Sequence, residues 1–272
     1  MKKFLSFVLA AIMLMMCLFA VSCNKEDDGN GSDTVAQTEP QGPAVTRCFV
    51  AGYEQAAGEQ IAKLSGRVLM NLWNDGKMDI YVGTSDDNGY KTAHYTGTYS
   101  FGENAEFDET ISFTYSYGEG QSATVTDEVI LDGIFETPFY IGSAMTAGDV
   151  KFYETAPAST DGDVYVGYLT KSGGMGSMVY AYALCMRDDG TFDVSIMQMA
   201  SVMHVWGLSE GTYVADGDKL TFTYDVSDGE GGIAKEDYTT TGTDYTENSL
   251  MAGFNIAQTS VSASPASFIR VK

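Results

Sequence analysis

Positive charge is scarce in this chain. Its 15 Lys and Arg stand against 37 Asp and Glu, a net charge of −22. That balance repels nucleic acid and anionic lipid and argues against both as partners. Past the first 20 residues no apolar run is long enough to cross a bilayer as a helix. Histidine occurs twice, at His94 and His204. The four cysteines show no CxxC or His-Cys ligand spacing, so neither a metal site nor a cofactor is expected. GxSxG, HExxH and a Gly-rich phosphate loop are all missing, and no carboxylate pair can be given acid and base roles from sequence alone. No catalytic residue is therefore expected. Beyond the N-terminal segment no stretch carries helical periodicity.

What is present is one pattern written twice. Leu64–Val82 and Met178–Ile196 each read as a strand, an Asp-Gly turn and a second strand. Period-two alternation marks half-buried antiparallel strands. Parity sets the turn length. A two-residue loop at Asp75-Gly76 would put Leu72 opposite Asp79. A three-residue loop, Asn74-Asp75-Gly76, pairs Leu72 with Met78 and Met70 with Ile80. Gly76 then takes the left-handed position that closes such a loop. Asp188-Asp189-Gly190 does the same, pairing Met186 with Phe192 and Leu184 with Val194. Further matches follow in order: Gly52-Tyr53 with Gly167-Tyr168, Gly97-Thr98-Tyr99 with Gly211-Thr212-Tyr213, ISFTY at Ile111–Tyr115 with LTFTY at Leu220–Tyr224, and Phe139 and Ile141 with Phe254 and Ile256. Collinear matches at a nearly constant offset mean an internal repeat, with units at 46–158 and 160–272.

The N-terminus reads as an address. Met1-Lys2-Lys3 is basic, Phe4–Ala20 is apolar apart from Ser6, and Ala20-Val21-Ser22-Cys23 follows. This is a secretory signal over residues 1–22. The small residues before Cys23 resemble a bacterial lipobox, which implies cleavage before Cys23 and its lipidation; several acyl chains anchor a domain stably. Loss of Lys2 and Lys3 takes the net charge to −24. Asn24-Lys25-Glu26-Asp27-Asp28 resembles the surface-export signal of Bacteroides-type lipoproteins, or is a generic acidic tether. Gly, Ser, Asp, Thr and Gln then dominate, so residues 23–45 form a flexible spacer. The implied location is the outer membrane, lipid-anchored and displayed on the cell surface, with the lipid as the only membrane contact. With Cys17 in the signal and Cys23 lipidated, Cys48 and Cys185 remain, either bonded or buried as free thiols.

Each unit offers about eight short strands joined by Gly and Asp turns. The expected fold is all-β: two tandem antiparallel meander barrels of roughly 110 residues each. The order of Gly-Tyr, Asp-Gly hairpin, Gly-Thr-Tyr and a Φ-T-F-T strand resembles the lipocalin-like (calycin) β-barrel lipoproteins of Bacteroides-type bacteria. Gly52-Tyr53 and Gly167-Tyr168 stand where the lipocalin Gly-x-Trp would fall. The strand at Met203–Val205 is expected to break before a second piece at Gly211–Val214, and a strand is expected over Leu250–Ala257.

One asymmetry predicts a contact. On the long strand of unit one the outward parity is Ser65, Arg67, Leu69, Asn71 and Trp73. Its aligned set in unit two, Val179, Ala181, Ala183, Cys185 and Arg187, is mostly small and apolar, so that strand is expected to be covered on both faces. Unit one, or a partner, is expected to lie on Val179, Ala181 and Ala183.

Candidate sites follow from the same parity. The barrel interiors would be lined by Tyr99, Phe113 and Tyr115 in unit one, with Val68, Met70 and Ile80. In unit two the lining would be Tyr180, Tyr182, Phe192, Tyr213, Phe222 and Tyr224, with Leu184. Such an interior either holds one small ligand or is filled. Met197, Met199, Met203 and His204 form a soft-ligand set that could take copper, but Met also fills irregular cores and lines adaptable pockets, and core or pocket lining is the expected reading. The acidic stretches at Asp86–Gly89, Asp216–Asp218 and Asp225–Glu230 lack calcium-loop spacing and sit where hairpins must turn. The expected function is non-catalytic binding of a small apolar or glycan ligand, or of a protein partner. The alternatives are a structural or adhesive surface module without a pocket, and an enzyme with its site at the junction of the units. The chain end Arg270-Val271-Lys272 lacks the terminal aromatic strand signal expected of an outer-membrane pore.

Overall fold

The structure is a computed structural model, and it describes residues 42–55, 64–141, 144–173, 176–200, 203–228, 232–256 and 264–272. The signal segment, Cys23 and the spacer up to Gln41 lie outside the described residues.

Among the described residues sixteen strands follow one another and there is no helix. The first eight are β1 (Val45–Gln55), β2 (Leu64–Trp73), β3 (Lys77–Asp86), β4 (Gly89–Glu103), β5 (Glu109–Gly118), β6 (Gln121–Val129), β7 (Ile134–Ile141) and β8 (Ala144–Thr155). The second eight are β9 (Asp163–Gly173), β10 (Gly176–Met186), β11 (Thr191–Ala200), β12 (Met203–Asp216), β13 (Lys219–Ser227), β14 (Ile233–Gly242), β15 (Ser249–Ala252) and β16 (Ala266–Arg270). They form two antiparallel sheets, ordered β6-β5-β4-β3-β2-β1-β8-β7 and β14-β13-β12-β11-β10-β9-β16-β15. In each, the first strand pairs with the last, so the meander curls back on itself into a barrel.

The hairpins form as parity requires. Leu72 pairs with Met78, Met70 with Ile80, Met186 with Phe192 and Leu184 with Val194. Gly76 and Gly190 have φ of +79° and +82°, and their N–H groups donate to the Trp73 and Arg187 carbonyls, each at 3.1 Å. A side chain at either position would be strained.

The motif tyrosines lock these turns. The Tyr99 hydroxyl donates to the Trp73 carbonyl and the Tyr213 hydroxyl to the Arg187 carbonyl, both at 2.7 Å. The preceding glycines let the strand approach its neighbour: a Cβ on Gly97 would lie 2.2 Å from the Thr114 carbonyl oxygen, and one on Gly211 2.0 Å from that of Thr223.

One apparent repeat is out of register. Gly52 pairs with Arg67. Counted from the Asp-Gly turn, the counterpart of Arg67 is Ala181, and Ala181 pairs with Tyr168, not Gly167. Tyr53 consequently packs on the core of the first barrel, whereas Tyr168 packs on the apolar layer between the barrels. The two Gly-Tyr dipeptides match in sequence only.

The strand β12 is continuous over Met203–Asp216, not two pieces. Its alternation is inverted: Gly207 and Ser209 are buried, while Trp206 and Leu208 are exposed. The strand β15 ends at Ala252, although Phe254 and Ile256 beyond it remain buried.

Three apolar layers hold the unit together. Two are the barrel interiors. The third lies between the barrels and includes Cys48, Val50, Leu69, Tyr81 and Tyr153 with Val164, Val166, Val179, Ala181, Ala183 and Met197. Arg67, Leu69 and Asn71 point away from their own barrel yet are buried. Small residues on β10 thus share this layer with bulkier ones on β2. Asn71 donates to the Ala158 carbonyl at 3.3 Å and Ser195 to that of Pro157 at 3.3 Å, which ties the linker to both barrels.

The contacts between barrels are two-fold in pattern. The strands β1 and β2 meet β9, and β1 meets β10; β8 meets β10 and β11, and β16 meets β2 and β3. Exchanging each strand for its counterpart in the other barrel returns the same set. This is the pattern of an isologous dimer interface, here made within one chain.

Candidate functional site

The aromatic residues expected inside the barrels are packed against one another. Phe113, Tyr115, Tyr180, Tyr182, Phe192, Phe222 and Tyr224 are buried, and Tyr99 and Tyr213 are partly buried against the same cores. Tyr115 stacks on Phe139 at 5.0 Å, and Phe192 and Phe222 meet edge to face at 5.1 Å. Their hydroxyls are committed. Besides Tyr99 and Tyr213, Tyr115 accepts the Tyr140 N–H and Tyr224 accepts the Asn255 N–H, both at 3.0 Å. Burial pushes the pKa of Tyr115 and Tyr224 up. None of them lines the cleft described next.

A cleft of about 830 Å³ opens where the first barrel meets β11 and β12. It begins at a two-residue turn, Asp132-Gly133, between β6 and β7. Both residues have positive φ, +52° and +74°, and Leu131 and Ile134 exchange N–H···O bonds of 2.9 Å. Asp-Gly is a sequence suited to such a turn. A Cβ on Gly133 would lie 3.1 Å from both the Glu154 Cβ and the His204 Cε1, so the turn seats directly on the second barrel.

The lining is mixed. Leu131, Ile134, Phe135, Met199 and Trp206 supply apolar surface; Asp132, Glu136, Lys151 and His204 supply polar edges. Trp206 is 47 % exposed and Leu131 59 %. The His204 ring meets the Trp206 ring edge-on at 4.9 Å and bonds the Asp132 backbone. Its buried Nε2 has no hydrogen-bond partner among the described residues. Burial lowers the His204 pKa, with the Asp132 bond opposing, so the ring is held neutral. Glu136 pairs with Lys151 at 3.3 Å. The inverted alternation of β12 is the sequence signal for this surface, since it puts the large Trp206 on the outward face and the small Gly207 and Ser209 on the inward one.

The remaining candidates separate. Met197 is buried between the barrels, Met199 lines the cleft, and the Met203 side chain lies outside the described residues. His94 bonds Asp79 at 2.8 Å and stacks on Tyr81 at 4.5 Å, far in sequence and partners from His204. The acidic stretches serve as turns: Asp86 accepts the Asn88 N–H at 2.8 Å, Gly217 has φ of +62°, and Asp228 accepts the Gly232 N–H at 2.8 Å. Residues 229 and 230 lie outside the described residues. Cys48 and Cys185 are free and buried. Asp161, Cys185 and Asp193 bring their ligand atoms within 4.8 Å of one another, but Arg187 bonds both carboxylates there. Its guanidinium holds Asp161 well below the usual carboxylate range and supplies the positive charge a cation would bring.

The fold is an all-β tandem barrel of a kind compatible with calycin-like barrels. No protein-family model, no curated protein and no solved structure matches the chain.

Proposed function

We propose that this chain is a non-catalytic binding protein, carried on the outer surface of a Bacteroides-type cell by lipid on Cys23, and that it takes a small amphipathic ligand, apolar or glycan, in the cleft at the barrel junction. One observation carries the reading: the aromatic side chains expected inside the barrels are buried against one another, while Trp206 and His204, whose buried Nε2 has no hydrogen-bond partner among the described residues, line an open cleft. An exposed indole offers a flat apolar face, and the surrounding carboxylates, lysine and imidazole accept or donate to hydroxyls at its edge.

The test is native mass spectrometry of the protein purified from its own host, beside its Trp206→Ala form. A retained small-molecule adduct that disappears in the variant is expected. An adduct that survives the substitution, or none in the parent, overturns the cleft as the site. The anchor is tested separately: Cys23→Ala is expected to lose the acyl mass and leave the membrane fraction, and a variant that still fractionates with membrane refutes it.

A second reading has its own observation. Leu131, Trp206 and Leu208 are all exposed, and Leu131 and Trp206 share one cleft. An adhesive module would cover that surface with a macromolecule. Cross-linking on intact cells at position 208 then gives a protein conjugate, whereas the small-ligand reading gives none.

A further inference from the structure

The two-fold pattern of the interface has two rims. The cleft above lies at one of them, between the seventh and eighth strands of the first barrel and the third and fourth of the second. The opposite rim brings together β3 and β4 of the first barrel with β15 and β16 of the second. It too holds a cleft, of about 350 Å³.

The two clefts are built from corresponding positions. Ser85 pairs with Tyr90 across β3 and β4 as Met199 pairs with His204 across β11 and β12. Tyr90 and His204 each stand seven residues ahead of the Gly-Thr-Tyr glycine. Ser249 opens β15 as Ile134 opens β7, with Asn248 and Gly133 just before them. Ser267 and Lys151 face the strand two residues further along, Met251 and Glu136. All five residues of the second rim, Ser85, Tyr90, Asn248, Ser249 and Ser267, line its cleft, and all five counterparts line the first. The correspondence extends to one unsatisfied atom. The Tyr90 hydroxyl is buried with no hydrogen-bond partner among the described residues, as is the His204 Nε2.

We infer that the second rim is also a binding site, and that its ligand is a neutral oligosaccharide. The lining carries serine hydroxyls, an amide and a phenol, with Ile269 as an apolar patch, and no charged side chain; Arg270, close enough to act on the Tyr90 hydroxyl, is engaged by Asp163 and Glu247. A phosphate or carboxylate ligand would need a cation in the lining, and a lipid would need more apolar surface. A neutral polyol matches a set of neutral donors and acceptors, and a buried hydroxyl left unpaired is costly until a ligand or water satisfies it. This proposal concerns a different cleft from the one above and stands without it.

The experiment is binding of the mature lipid-free chain to an array of neutral and acidic oligosaccharides at low and high salt. Neutral members are expected to bind, with an affinity that salt leaves unchanged because no charge is screened. Tyr90→Phe is expected to weaken that binding by about threefold to tenfold, the worth of one hydrogen bond. Ser267→Lys, at an exposed strand position that tolerates the change, is expected to weaken it further. Trp206→Ala is expected to leave it unaltered, which separates the two clefts. Three results would overturn the inference: no neutral member binds, only acidic members bind, or binding persists unchanged in both Tyr90→Phe and Ser267→Lys.

Discussion

Gly83→Ala probes the interface most directly. Gly83 lies on β3, at the rim where β16 of the second barrel crosses it. A Cβ there would sit 2.1 Å from the Arg270 carbonyl oxygen, 3.0 Å from its carbonyl carbon and 3.1 Å from the Ile269 Cγ2. The first of these is backbone against backbone, so no rotamer change relieves it. Nor can β16 yield alone. It is laddered to β9, and beyond it the Val271 N–H donates to the Val164 carbonyl at 2.7 Å while the Val164 N–H donates to the Lys272 carbonyl at 3.0 Å. Relief therefore requires the barrels to part by about 1 Å along this rim. Overpacking in well-filled interiors costs about 1–3 kcal/mol, and the rigid backbone contact puts this case near the top. For a folded unit of this size each kcal/mol lowers Tm by about 2–4 °C, giving a drop of about 6–12 °C. Urea titration and a thermal melt read it. Gly102→Ala is the comparison: its nearest neighbour would be the Thr110 hydroxyl at 3.1 Å on an exposed stretch, and it is expected to stay within about 0.5 kcal/mol. If Gly83→Ala proves as stable as the parent, β3 and β16 are not in contact, and the two-fold arrangement of the barrels falls with them.

Two further outcomes follow from the geometry. Tyr99→Phe and Tyr213→Phe each remove a 2.7 Å bond that closes an Asp-Gly turn, and each is expected to cost about 1 kcal/mol in urea titration. They lie in different barrels with no shared partner, so the double variant is expected to show the sum, and a strong departure would deny the two turns their independence. The Cys48 thiol is fully buried, and burial pushes its pKa from 9.0 up to about 12. A raised folded pKa stabilises fully below the unfolded value and is lost as pH rises, here through 9 toward 12. On that basis about 3 kcal/mol is gone by about pH 11, and Cys48→Ala is expected to lose that much less than the parent between about pH 8 and pH 11. Parallel pH profiles for the two proteins would refute it.

How far the sequence reaches depends on what each feature rests upon. Hairpins rest on neighbours, and parity alone excluded a two-residue loop at Asp75-Gly76, because a core leucine cannot face an aspartate. The Tyr and Phe positions in the two cores were legible for the same reason, since alternation assigns a face. The use of their hydroxyls was not. Tyr115 and Tyr224 accept from Tyr140 and Asn255, 25 and 31 residues away, and that depends on where the chain returns. The Gly-Tyr repeat misled because the connection between β1 and β2 is long enough to absorb one residue of slip, which flips every side chain on the strand. The strand β12 misled because its large residues face out. Both clefts were invisible for a stronger reason: each is assembled from strands of both barrels, whose meeting is set by the interface.

That interface also accounts for the unlikeness of the two rims. In a dimer of identical chains, corresponding rims are identical, and any change appears twice. In one chain each rim varies alone, provided the packing between barrels is kept. An ion pair shows the allowance at work. Arg47 on β1 bonds Glu154 on β8, with Nη2 to Oε2 at 2.6 Å; at the corresponding positions of the second barrel Asp163 bonds Arg270 at 2.5 Å. By strand register Arg47 corresponds to Asp163 and Glu154 to Arg270, so the pair is retained with its polarity reversed. Where partners must satisfy each other, both changed together. At the rims the corresponding residues differ in kind: one set is Met199, His204 and Lys151, the last paired with Glu136, and the other is Ser85, Tyr90 and Ser267. Among the described residues both the Tyr90 hydroxyl and the His204 Nε2 are buried without a hydrogen-bond partner. A position serving packing alone is more stable with an apolar side chain, which leaves no polar atom unpaired; a polar group at the corresponding position of both rims is what a ligand on each would require.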